Sequence, residues 1–276
     1  DNTVKLISLS AQFNLLSLPA DEFPVLYPLI GETNFTIRDN ILRDLIKKTV
    51  FAASNDEARP VFTGALLEVV DSEVLMVATN THRLALKKEN LDNITNNIKV
   101  IIPSKILNEL ARIMVSEIPS PIKITCHHNQ ISFSFDNIYI ISRIIEGQFP
   151  DYQRVIPPNF ATTVAIKTAD FSSAVERVSL ISRDGDYNVV KLAFRNNEIL
   201  ITSNNPEVGK AEEAIAANIE GNELEIAFNA KYIVDILKNI DDEKIFFTLN
   251  TPLSPASIKP ENDENYNYII TPVRSN

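Results

Sequence analysis

Apolar residues recur along this chain with two periods, and each change of period marks an element. Ile41, Leu42, Leu45, Ile46 and Val50 fall at i, i+3, i+4 spacing and predict a helix over 40–54, with Asp39 as its cap. Ile106, Leu107, Leu110, Ile113 and Met114 predict a second helix capped by Ser104, and Phe171, Val175, Val178 and Ile181 a third over 169–182. A fourth begins after Asn229, again a capping residue. Alternation with period two predicts strands over 62–70, 74–79, 83–88, 122–127, 131–135 and 138–145. The same pattern returns over 192–194, 196–199, 201–205, 245–249, 256–259 and 266–271, and one or two strands fall within 4–18.

The pattern repeats. Phe23-Pro24 and Phe149-Pro150 both end a strand and stand 126 residues apart. The segment Val164-Ala-Ile166 matches Phe35-Thr-Ile37 at an offset of 129, and 192–205 matches 67–80 at 125. A shared period of this size predicts tandem units. The expected boundaries are 1–32 for the end of one unit and a linker, 33–157 for a second and 158–276 for a third. Each is expected to be α+β, with two helices packed on antiparallel sheets. Because the chain opens at Asp1 part-way through a strand pattern, it reads as a piece of something longer.

Composition narrows the function. With 276 residues, 45% hydrophobic and 22% charged, the chain is ordinary core-forming material. One cysteine, Cys126, excludes an intrachain disulfide framework and fits a reducing compartment. Cys126-His127-His128 alternate across a strand, so they do not converge as metal ligands, and no metal or cofactor is expected. No apolar run reaches membrane-spanning length and no signal pattern opens the chain, so the expected location is cytoplasmic.

The net charge of −10 argues at first against nucleic acid. The helix segments nevertheless sum to +4, which leaves −14 on the remainder. Helices gathered on one side would make that side mildly basic, a surface for phosphates without base readout. An enzyme is the main competing class. The sequence offers no glycine-rich phosphate loop, no nucleophile–base set and no metal cluster.

Several segments then point one way: Val77-Ala-Thr-Asn-Thr-His-Arg-Leu-Ala85, Gly147-Gln-Phe-Pro-Asp-Tyr-Gln-Arg-Val-Ile-Pro157, Ser203-Asn-Asn-Pro-Glu207, Phe228-Asn-Ala-Lys-Tyr232 and Tyr268-Ile-Ile-Thr-Pro-Val-Arg274. In content and order they resemble the bacterial DNA polymerase III beta subunit, the sliding clamp. The resemblance implies the DNA-clamp fold and a processivity factor with no catalysis of its own. Its homodimer would be a ring encircling duplex DNA, sequence-independently, with helices lining the hole. Polymerase and clamp-loader subunits would dock through short linear peptides. A stand-alone peptide-binding adaptor is the alternative. A chain of this extent is not expected to close a ring by itself.

Residue by residue, the resemblance implies a peptide pocket from Phe62, Thr79, Thr81, His82, Arg83, Leu84, Pro150, Arg154, Val155, Tyr187, Asn229, Tyr232, Leu253, Pro255, Ile269, Ile270, Thr271, Pro272, Val273 and Arg274. Leu84, Val155, Ile269, Ile270 and Val273 would give an apolar floor, and His82, Arg83, Arg154 and Asn229 a polar rim. For DNA it implies Arg59 and Lys105, while Arg43, Lys47, Arg112, Lys231 and Lys238 join them by helix face. At the subunit boundary it implies Phe13 and Leu15 facing Leu180, Ile181, Glu212 and Glu213. Three departures stand out: Thr81 where the family has Gly, Gln153 where Arg is common, and a tail of Thr-Pro-Val-Arg-Ser-Asn in place of Met-Pro-Met-Arg-Leu. Thr81 narrows its side of the pocket, and a tail without methionines makes a less adaptable wall.

Overall fold

A hairpin of β1 (Thr3–Ser8) and β2 (Ala11–Leu16) opens the chain. The structure, a computed structural model, describes residues 2–25, 27–31, 33–91, 97–115, 118–182 and 188–274. After the hairpin come β3 (Thr33–Arg38), α1 (Asp39–Thr49), β4 (Gly64–Val70), β5 (Glu73–Thr79) and β6 (Arg83–Asn90). The same series follows as β7 (Ile98–Pro103), α2 (Ser104–Ile113), β8 (Pro121–His127), β9 (Gln130–Phe135) and β10 (Ile138–Arg143). It recurs as β11 (Thr162–Lys167), α3 (Thr168–Ser179), β12 (Val189–Arg195), β13 (Glu198–Asn205) and β14 (Gly209–Ala216). A short β15 (Asn218–Gly221) then precedes β16 (Leu224–Asn229), α4 (Ala230–Leu237), β17 (Lys244–Leu249), β18 (Ala256–Pro260) and β19 (Tyr266–Ile270). Strand–helix–three strands is thus used four times, in an α+β fold. The repeat reaches the turns: Asp71-Ser72 and Asn196-Asn197, 125 residues apart, both take positive φ at two successive positions.

The strand before each helix crosses to the other sheet of its unit. Hence β3 joins β8, β9 and β10, while β16 joins β12, β13 and β14. The remaining strands form one nine-stranded sheet, in the order β15-β11-β17-β18-β19-β6-β5-β4-β7. Its seam is the antiparallel pairing of β19 with β6, so two repeat units share one continuous ladder.

One row of residues shows what this does. Val164, Phe247, Ile258, Tyr268, Ala85, Ala78, Ala65 and Ile102 are successive cross-strand partners over eight strands. Every one is fully buried, in the same cluster as residues of all four helices. Side chains two apart share a face, so the helices cover this face from one end to the other. The opposite face carries Leu66, Leu75, Val77, Leu84, Leu86, Ile101 and Ile269, and these pack against Phe149 and Tyr152 of the segment between the units.

Local details correct some expectations. Strand β10 ends at Arg143; beyond it the Ile144 N–H donates to the Asn129 carbonyl and Ile145 makes an isolated bridge to Ile101. Gly147 then takes φ +131°, a left-handed conformation that favours glycine. Asp39 is the first helical residue and not the cap; its carboxylate accepts from the backbone N–H groups of Asn40 and Ser120. Ser104 does not cap α2, whose preceding residue is Pro103. Asn229 does cap α4, accepting from the Lys231 N–H at 3.0 Å. Ile113, the last residue of α2, is exposed, and Ile181 is half-buried because α3 ends at Ser179, short of the expected 182. Strands β14 and β15 escaped the sequence reading because β14, GKAEEAIA, carries charge at Lys210, Glu212 and Glu213 where a strand signal needs apolar alternation.

Candidate functional site

The outer face of the nine-stranded sheet holds a pocket of about 200 Å³ at the seam. Leu84 of β6 and Ile269 of β19, paired across the seam, form its floor. Phe62, from the 3-10 turn Pro60–Thr63, closes one side. The segment 149–155 closes the other, and two buried rings, Phe149 and Tyr152, pin that segment to the sheet. Gly64 lets β7 and Ile145 pack close to β4, because a Cβ there would meet the Ile102 carbonyl at 2.5 Å and the Ile145 side chain at 2.8 Å. The Tyr152 hydroxyl donates to Glu68 at 3.2 Å, and Glu68 also pairs with Lys99 at 3.0 Å. Burial, then the Glu68 charge, holds the Tyr152 phenol above its ordinary pKa, so it remains a donor.

The third wall is the turn from β5 to β6. The Asn80 side-chain oxygen accepts from the His82 and Arg83 N–H groups, each at 3.0 Å, and the Thr79 hydroxyl donates to the Arg83 carbonyl at 2.7 Å. Thr271 ties the chain's end to this turn, donating N–H and hydroxyl to the His82 carbonyl. Thr81 sits in the turn with φ +77°, a strained conformation for a β-branched residue. The departure from Gly noted in the sequence therefore has a backbone consequence as well as a steric one.

Of the residues expected at the pocket, the structure brings together Phe62, Thr79, Thr81, Arg83, Leu84, Pro150, Val155, Ile269 and Thr271. Ile270 does not belong: it is fully buried on the helix-covered face, as strand alternation requires once Ile269 faces outward. Arg83 is not a rim donor, for its guanidinium is buried, pairs with Asp235 at 2.5 Å and donates to the Phe51 carbonyl at 2.6 Å. Asn229 spends its side chain on the α4 cap. Tyr232 lies behind the turn, its ring stacked on exposed His82 at 6.5 Å and 4.6 Å from the Arg83 guanidinium. Arg154 points to solvent, paired with Asp151 at 2.8 Å. Leu253, Val273 and Arg274 line a separate cleft with Lys191 and Glu225, while Pro255 and Pro272 are half-buried and line neither. Tyr187 lies outside the described residues. Phe149, Asp151 and Tyr152 line the pocket and were missed, although the Phe-Pro-Asp-Tyr segment that contains them was the strongest signal in the sequence.

The expected DNA residues differ in how much charge they offer. Lys47, Lys105 and Lys231 are exposed and make no ion pair among the described residues. Arg59, Arg112 and Lys238 are paired with Asp56, Glu109 and Glu176 at 3.2, 2.9 and 3.0 Å. Arg43 is half-buried, and its Nε has no hydrogen-bond partner among the described residues. At the expected subunit boundary, Phe13, Leu15 and Leu180 are exposed apolar side chains. Glu213 is held by two hydrogen bonds from Arg177, which lower its pKa, while Glu212 pairs with Lys210. Among the described residues no group of three or more His, Cys, Asp or Glu could hold a metal. Burial pushes the Cys126 thiol up to about 11. Among them too, no helix is long and apolar enough to cross a membrane.

Two family models match the chain in tandem: the central domain of the DNA polymerase III beta subunit over residues 36–151, and its C-terminal domain over 153–274. The chain belongs to the beta sliding clamp family. It is 37% identical to the beta sliding clamp of Staphylococcus epidermidis over 266 residues, 96% of this chain and 70% of that one. The solved DNA polymerase sliding clamp of Bacillus subtilis superposes with a TM-score of 0.92 at 38% identity, over 99% of this chain and 73% of its own. The DNA polymerase III beta subunit of Pseudomonas aeruginosa does so with a TM-score of 0.93 at 30% identity, over 100% of this chain and 75% of its own. A clamp of this family works in DNA replication beside DNA polymerase III, and the sequence resemblance and its α+β clamp fold stand.

Proposed function

We propose that the chain encircles duplex DNA as part of a dimeric ring, adds no catalysis of its own, and tethers polymerase and clamp-loader subunits through the seam pocket in the cytoplasm. The observation that carries this reading is the seam itself. One sheet runs unbroken through two repeat units with all four helices on one face, so repeating the junction builds a continuous β wall around a helix-lined interior.

The junction also specifies how it repeats. In each unit the last strand of the first half is β6 or β14, and of the second half β10 or β19. The seam joins a first-half strand, β6, to a second-half strand, β19. Strand β14 is a sheet edge with no partner beyond β13 among the described residues. Strand β2 ends the N-terminal hairpin and presents Phe13 and Leu15 unburied. Pairing β14 with β2 of a second copy is the same kind of junction, and Leu180, Ile181, Glu212 and Glu213 lie beside it. An interior lined by Lys47, Lys105 and Lys231 holds phosphates loosely, which suits sliding.

Retention on circular against linear DNA tests the ring, using a form extended at its N-terminus to the length of its relatives. Preferential retention on closed circles supports encirclement, and equal loss from both leaves only the peptide-binding adaptor. For the pocket, truncation after Ile270 removes Thr271 and its two bonds to His82, and is expected to weaken a polymerase-derived peptide without unfolding the protein.

A further inference from the structure

A second cleft, of about 210 Å³, lies on the same outer face, across the 3-10 turn Tyr152–Val155 from the pocket. Tyr152 is a wall of both. Both cross the β6–β19 seam, the pocket over the Leu84–Ile269 pair and the second cleft over the Leu86–Asn267 pair. These are successive rungs on one face, roughly 7 Å apart. A partner segment seated in the pocket therefore reaches the second cleft within two or three residues.

The two chambers differ in chemistry. The pocket is apolar at its floor, whereas the second cleft carries hydrogen-bond donors. Lys259 is half-buried there and makes no ion pair among the described residues. Asn267 is 8% exposed, and its side-chain oxygen accepts from the Ser257 hydroxyl at 2.6 Å. That leaves its amide nitrogen as a donor with no acceptor among the described residues. Lys88 is already committed to Glu73 at 2.9 Å, and Glu264, on the exposed lip, does not pair with Lys259. A half-buried lysine with no ion pair among the described residues and an amide donor still open, both lining one cleft, make a site for a carboxylate.

We infer that the second cleft is an acidic-residue subsite: it takes an Asp or Glu side chain of the partner segment, two or three residues from the apolar anchor held in the pocket. The inference rests on the peptide-binding reading of the pocket and adds the charge of the flanking residue. The test is fluorescence anisotropy on the 276-residue chain at low salt, with a labelled pentapeptide carrying two large apolar residues to match the apolar floor of the pocket. The peptide is compared with versions lengthened by three residues at either end, carrying Asp or, in control peptides, Asn. One Asp version is expected to bind roughly fivefold tighter than its Asn control. Lys259→Gln is expected to abolish that gain and Lys259→Glu to reverse it, while both bind the pentapeptide as wild type does. Equal affinity for the Asp and Asn versions, or a gain that survives Lys259→Gln, overturns the subsite and leaves the pocket standing. A pentapeptide that does not bind at all overturns the pocket and the subsite together.

Discussion

Arg83 and Asp235 meet at 2.5 Å, and they belong to different repeat units. Arg83 is on β6, only 7% exposed, and Asp235 is on α4. The same guanidinium donates to Phe51, beyond the end of α1, and lies 4.6 Å from the Tyr232 ring. One cation thus ties a helix from each unit to the seam strand. Removing its carboxylate leaves a buried charge uncompensated. Asp235→Ala is expected to cost about 3 kcal/mol in urea unfolding, and Arg83→Met combined with Asp235→Leu to recover most of it. A double variant no more stable than Asp235→Ala would show that the ion pair contributes more than its desolvation costs.

A second cross-seam group gives the junction its acid sensitivity. Asp263, in the turn before β19, accepts from Lys87 of β6 at 2.9 Å and from Lys48 of α1 at 3.0 Å. Burial alone would raise its pKa, but the hydrogen bonds from Lys87 and Lys48 outweigh it and the net direction is down. A depressed carboxylate stabilises the fold above its unfolded pKa, near 3.9, and loses that contribution as pH falls through the folded value. Asp263→Asn is expected to cost about 1–2 kcal/mol at pH 7 and almost nothing well below pH 3, in thermal melts of both proteins. A deficit that is the same at both pH values would remove Asp263 from the acid response.

Thr81 tests backbone strain directly. At φ +77° a β-branched residue is strained by about 1–3 kcal/mol, whereas glycine is not. Against this, glycine loses more chain entropy on folding, by about 0.5–1 kcal/mol. Thr81→Gly should therefore raise stability by about 1 kcal/mol, and Thr81→Val, which keeps the branch and loses the hydroxyl, should not. The urea midpoint decides, and a midpoint that falls in Thr81→Gly would mean that the turn's hydrogen bonds absorb the strain.

The repeats were legible because the apolar spacing of α1 and α3 and the paired turns at Asp71 and Asn196 are local signals. The junction was not, since nothing in β6 or β19 taken singly says that Leu84 will face Ile269. That is a long-range register, fixed only when two sheets meet. The same gap explains the errors at the pocket. Resemblance placed Ile269 and Ile270 together, but a strand must send them to opposite faces. It counted Arg83 as a rim donor, but the carboxylate that claims it lies 152 residues away. Net charge on the helix segments missed the pairing of Arg112 and Lys238 with neighbouring glutamates.

The wall of the pocket should depend on the ring of Tyr152 far more than on its hydroxyl. The hydroxyl reaches Glu68 at 3.2 Å, but Glu68 keeps Lys99 when that bond is lost, so Tyr152→Phe leaves no orphaned carboxylate. The expected cost is about 1 kcal/mol or less, with peptide affinity close to wild type. Tyr152→Ala removes a buried ring that is a wall of both clefts and holds the 3-10 turn against Leu86 and Leu66. Loss of a buried aromatic costs about 3–5 kcal/mol, and here it also frees Pro150 and Val155 from their positions. Peptide titration and urea unfolding on the two variants separate these roles. Binding lost in Tyr152→Phe at nearly full stability would mean that the Glu68 bond, and not ring packing, sets the shape of the wall.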